Sequence, residues 1–175
     1  SFDEKFLELV GEVNYTLCVV VIDKKQHFKT YTESAIHPYH YCLTTLLERY
    51  TSFLSENNAI GDVMAESRGG KEDRTLKDVY SSFYLKGTAF RSPQFVQNHL
   101  TSKKLKTRNK IHAVAGLEMA DLLSLPTKLD VLHSYGALSN LSDNFTKKII
   151  GKVQSKYRRK PGSTRIKGYG KKLIF

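Results

Sequence analysis

The stretch YTLCVVVID, residues 15–23, decides the fold class. Leu17, Val19, Val20, Val21 and Ile22 make a β-branched, aliphatic run of strand length, apolar on both faces. Such a run reads as a buried strand. It ends at Asp23, and Lys24 and Lys25 follow. On its N-terminal side, DEKFLELVGEV (3–13) places Phe6, Leu9, Val10 and Val13 at helical spacing. On its C-terminal side, KKQHFKTYTESAIHP (24–38) reads as a polar connection. From Tyr39 to about Glu56 the apolar positions Leu43, Leu46, Leu47, Tyr50 and Leu54 again follow a helical period.

AIGDVMAESRGG (59–70) reads as a short strand running into a glycine turn, and Asp73 as the cap of a helix reaching Lys86. Residues 88–111 predict a short helix and then an extended segment. GLEMADLLSLPTK (116–128) predicts a helix over 115–125, stopped near Pro126. DNFTKKIIGKVQSKY (143–157) is amphipathic, with Asp143 as its cap, and RRKPGSTRIKGYGKKLIF (158–175) reads as an irregular basic tail. Strands alternating with helices argue for an α/β domain.

The 175 residues suffice for one domain with its own core. No apolar run approaches the ~18 residues of a membrane span, so no membrane partner is expected. Two cysteines, Cys18 and Cys42, do not make a disulfide framework, and a reducing, cytoplasmic setting is the expectation. A chain that opens on Ser1 is expected to be a processed product or part of something longer. The formal net charge of +11 points to nucleic acid as partner.

Glu118 and Asp121 interrupt an otherwise apolar helix and share one of its faces. A buried carboxylate needs a cation, a hydrogen-bond network or a metal. The two acids equally fit the wet side of a half-buried helix, paired with lysines. Asp23 and Glu66 each end a predicted strand, and in α/β sheets chemistry is done at the carboxyl ends of strands. Carboxylates converging there would make a hard, oxygen-rich site for Mg²⁺ or Mn²⁺. Two such ions activate water and stabilise the leaving oxygen of a phosphodiester.

The succession VVVIDKK, YHYCLTTLLERY, MAESRGG and KKLKTRNKIHAVAGLEMADLLSLPTK resembles the C-terminal two-thirds of a bacterial and phage family of unknown function with a ribonuclease H-like fold. Members of that family resemble metal-dependent nucleases. The resemblance covers roughly residues 15–130. It matches Asp23-Lys24 to a strand ending in Asp-Lys, Glu66 and Arg68 to an acid near an arginine, and Gly116, Leu117, Glu118, Ala120 and Asp121 to a Gly-Leu-Gln-x-Ala-Asp helix. It implies Asp23, Glu66 and Asp121 as catalytic metal ligands, with Glu118 as a further ligand or an acceptor beside the metal. Glu118 stands where the family carries Gln. The family's early Asp-Glu-Ser strand has no counterpart, since SFDEKF is helical in pattern. An N-terminal segment supplies it, or another chain supplies it, or catalysis is lost.

The expected fold is therefore a ribonuclease H-like mixed sheet flanked by helices, over residues 1–142, its first strand missing, with a basic helix and tail over 143–175. Nucleic acid would be held by Arg68, by the cluster Lys103, Lys104, Lys106, Arg108 and Lys110, and by Lys156, Arg158, Arg159, Lys160, Arg165, Lys167, Lys171 and Lys172, with Tyr157, Tyr169 and Phe175 available to stack on bases. No acid follows Asp143. The alternative is a non-catalytic module that binds nucleic acid or a protein, the latter through Leu173, Ile174 and Phe175. The spacing of His27, His37, His40 and Cys42 fits no standard zinc finger, ESRGG lacks the Lys-Ser/Thr of a P-loop, and Ser67 has no evident base.

Overall fold

A computed structural model describes residues 1–31, 37–141 and 144–175. The fold is mixed α/β, mostly helical at 58 %, with small parallel sheets. Its elements run α1 (Phe2–Glu12), β1 (Val19–Ile22), α2 (Lys24–Tyr31), α3 (Pro38–Glu56), β2 (Met64–Glu66), α4 (Gly70–Lys86), α5 (Pro93–His99), β3 (Lys106–Arg108), α6 (Ala115–Ser134), α7 (Asn144–Val153) and β4 (Lys171–Ile174). Single 3₁₀ turns follow β3 and α7. The single mixed sheet expected from the sequence is not what forms. Among the described residues the strands make two separate two-stranded sheets, β1 with β4 and β2 with β3, both parallel.

The chain divides into two compact units, Ser1–Asp23 with Asp121–Phe175, and Lys24–Ala120. The first unit is closed by its two chain ends. Val19 to Ile22 lie in register with Lys171 to Ile174, and Leu17 bridges to Tyr157. Helix α1 is started by a capping box, Ser1 accepting from the Glu4 amide, and it packs on α7 through Phe6 and Phe145. The segment read as an irregular tail therefore contains β4. Leu173 and Ile174 are its buried apolar residues, and the aliphatic β1 offers them a partner. Residues 144–175 all fall within this unit.

The second unit is built on α3, α4 and α5. Leu47, Leu54, Tyr80, Phe83, Tyr84, Val96, Leu100 and Leu105 form its core. Pro38 and Pro93 stand at the first turns of α3 and α5, where their missing N–H costs nothing. Gly87 ends α4 at φ 65°, and a Cβ there would lie 2.2 Å from the Arg91 carbonyl oxygen, so no other residue fits without moving the turn.

Three further expectations are corrected. The polar connection after β1 contains α2, whose buried residue His27 lies against the Tyr41 ring. Helix α6 does not stop near Pro126 but continues to Ser134. Leu123, Pro126, Thr127, Asp130 and Val131 make one buried stripe that carries the helix through the proline. Helix α4 begins at Gly70, so Asp73 lies inside its first turn and is not its N-cap. The Asp143 cap lies outside the described residues.

Candidate functional site

In the second unit, Glu66 is the last residue of β2 and lies in register with Arg108, the last residue of β3. Both sit at the carboxyl end of a parallel strand pair. Glu66 is half-buried, and among the described residues its carboxylate has no hydrogen bond or ion pair. The turn that leaves it is pinned. Ser67 donates its amide to the Arg108 carbonyl at 2.8 Å and its hydroxyl to Asp73 Oδ2 at 2.5 Å. The Arg68 amide donates to Asp73 Oδ1 at 2.8 Å. The Ser67 hydroxyl, and after it the Arg68 amide, hold the Asp73 carboxyl below its ordinary range. Asp73 thus caps backwards from within α4, fixing the loop between Glu66 and the helix.

Within β3, Lys106 and Arg108 are exposed on either side of the half-buried Thr107. Before the strand Leu105 is buried in the core and Lys103 and Lys104 are exposed; after it Lys110 is exposed, and Arg68 is exposed on the turn after β2. Lys106 pairs with Asp62, whose carboxyl it holds low. All five cations read from the KKLKTRNK segment are therefore at the surface.

The first unit treats its cations differently. Arg159, Lys160, Arg165 and Lys167 are exposed, and Lys156 and Lys172 are half-buried. Lys156 donates to the Val13 carbonyl at 2.8 Å and lies over the Tyr15 ring. Arg158, 7 % exposed, lies over the Tyr169 ring. Lys171 is 5 % exposed and forms an ion pair with the equally buried Asp130 at 2.8 Å. Arg158 and Lys171 are thus not surface phosphate ligands as expected. Tyr157 is buried, its hydroxyl on Asp130 at 2.9 Å, so it does not stack on bases. Leu173 and Ile174 are core residues and do not form a docking arm.

The other acids are placed as follows. Asp23 follows β1 directly, is exposed, and its amide donates to the Ile174 carbonyl at 2.9 Å. Glu118 and Asp121 are exposed, one turn apart near the start of α6. Asp23 and Asp121 belong to the first unit, Glu66 and Glu118 to the second. Among the described residues no group of three or more His, Cys, Asp or Glu side chains is close enough to hold a metal ion. Each of the four acids offers hard carboxylate oxygens of the kind Mg²⁺ or Mn²⁺ takes. No described helix is long and apolar enough to cross a membrane.

Two features escape a reading of the sequence, the Asp130–Lys171 pair and the Ser67–Asp73 lock. An acid on the apolar stripe of a helix, Asp130 at the spacing of Leu123 and Thr127, is the available signal for the first. Compared with known protein families, curated proteins and solved structures, the chain matches none.

Proposed function

We propose that this chain binds nucleic acid by its phosphate backbone and contributes to divalent-metal-dependent phosphodiester hydrolysis on a ribonuclease H-like scaffold. The observation that carries the reading is the end of the β2–β3 pair, where Glu66, a carboxylate unengaged among the described residues, stands in register with Arg108, one of a cluster of exposed cations. Clustered cations neutralise phosphates without reading bases. Arg68, Lys103, Lys104, Lys106, Arg108 and Lys110 form this surface. The first unit carries exposed cations of its own, Arg159, Lys160, Arg165 and Lys167.

The carboxylates proposed as Mg²⁺ or Mn²⁺ ligands are Asp23, Glu66 and Asp121, with Glu118 beside them. The carboxylate of the Asp-Glu-Ser strand in the family this chain resembles would come from another chain or a further segment. The test is cleavage of single- and double-stranded DNA and RNA in Mn²⁺ by the assembled protein, with Asp121→Asn as control. Loss of cleavage with retained binding supports the reading; unchanged cleavage removes Asp121 from it.

A second reading is a nucleic-acid-binding module without catalysis. The two differ in one outcome: only the first predicts Mn²⁺-dependent cleavage in any assembly containing this chain.

A further inference from the structure

Helices α3 and α4 of the second unit face each other across a groove of about 340 Å³, lined by His40 and Thr44 from α3 and by Asp78, Ser82 and Phe83 from α4. That volume lies in the range of small-molecule sites. Among the described residues, His40, Thr44, Asp78 and Ser82 carry no side-chain hydrogen bond or ion pair. Thr88, at the end of the groove, is committed: its hydroxyl donates to Glu48 Oε1 at 2.5 Å. Four unengaged polar side chains thus converge on one groove, while Phe83, 3 % exposed, supplies an apolar floor.

Their chemistry is one-sided. A carboxylate only accepts, and the two hydroxyls can accept. Burial, followed by the neighbouring His37, lowers the pKa of His40 against the opposing pull of Asp78, which favours a neutral ring with one accepting nitrogen. Asp78 is also a local exception in a chain of net charge +11, a carboxylate with no ion pair among the described residues. A ligand that complements this groove brings donors and positive charge at one end and a short apolar body at the other.

We propose that the groove binds a small organic cation, a primary amine or guanidinium on a short aliphatic stem, with the Asp78 carboxylate as its counter-ion. The hydroxyls of Thr44 and Ser82 accept its remaining N–H groups, and the stem lies on Phe83. The site is separate from the cation cluster at β3 and does not rest on the nucleic-acid reading.

The test is isothermal titration of the full chain with n-butylguanidine, and with n-butylurea as its neutral isostere. Saturable one-to-one binding of the guanidinium is expected. Asp78→Asn should weaken it about tenfold, the scale of a charge-assisted hydrogen bond. Butylurea should bind at least tenfold more weakly. Asp78 is exposed on α4, so its replacement should leave the helical circular dichroism unchanged. If that variant does not fold, Ser82→Trp, which fills the groove from an exposed position, carries the same expectation of lost binding. No saturable heat, equal affinity in a folded variant, or equal binding of butylurea would each overturn the proposal.

Discussion

Lys171 shows how far one residue's role depends on a partner distant along the chain. In sequence it is one cation among many in a basic segment. In the structure it is enclosed with Asp130, which also accepts from Gln154 Nε2 at 2.8 Å and the Tyr157 hydroxyl at 2.9 Å. Lys171 Nζ in turn meets Ser134 Oγ at 3.0 Å and lies 4.6 Å from the centre of the Tyr157 ring. Burial, and then the Asp130 carboxylate, push the Tyr157 phenol far above its ordinary range, so it remains a donor. Removing one partner of such a pair leaves the other charge buried. Lys171→Met is expected to destabilise by about 3–5 kcal/mol in chemical denaturation, and Asp130→Leu with Lys171→Met together by less than the sum. Glu66 is the contrast: half-buried, uncrowded and unengaged, so Glu66→Gln should stay within about 0.5 kcal/mol of the parent. Asp73 gives a pH test. Its folded pKa lies below its ordinary 3.8, so its contribution is present above that value and lost as pH falls through the lower, folded one. Asp73→Asn should therefore lower stability at neutral pH and flatten the acid limb, the two proteins converging as pH falls below about 4, as read by denaturant midpoints.

At the scale of elements, local pattern is a good guide where a face is buried and a poor one where a distant strand decides. Helices α1, α3, α4 and α7 follow apolar periods visible in the sequence, and β1 and β2 lie where β-branched runs and turn residues put them. The end of α6 is not legible locally, because Pro126 reads as a break whereas Thr127 and Val131 continue the stripe begun by Leu123. Strand β4 escapes local reading because KKLI is strand only against β1, a pairing between chain ends. Deleting residues 171–175 should therefore abolish the cooperative unfolding of the first unit, beyond any loss of nucleic-acid affinity; a shortened chain with an unchanged melting temperature would refute the role of β4. Asp121→Asn, by contrast, changes an exposed position on α6 and should leave the fold intact.

The whole molecule joins two small parallel sheets and a helical majority in two units, and its net charge of +11 is distributed unevenly between surface and core. Composition raises the expectation of a polyanionic partner, but it does not show which cations are engaged internally. The structure separates Lys171 and Arg158, enclosed, from the exposed cluster at β3. Strand-end acids at 23 and 66 are legible too, because aliphatic runs ending in a carboxylate are local features; whether they meet depends on pairings that composition and periodicity do not encode. The central claim is that the β3 cluster holds phosphate. Its most direct test is affinity for single- and double-stranded oligonucleotides across a salt series, for the parent and for the variant Lys104→Gln, Lys106→Gln, Arg108→Gln. The account predicts weaker binding to every sequence alike, with the slope of log K against log salt flattened by about 2–3 units, at ~0.7–0.9 for each phosphate no longer neutralised. Equal affinity and equal slope in the two proteins would contradict it.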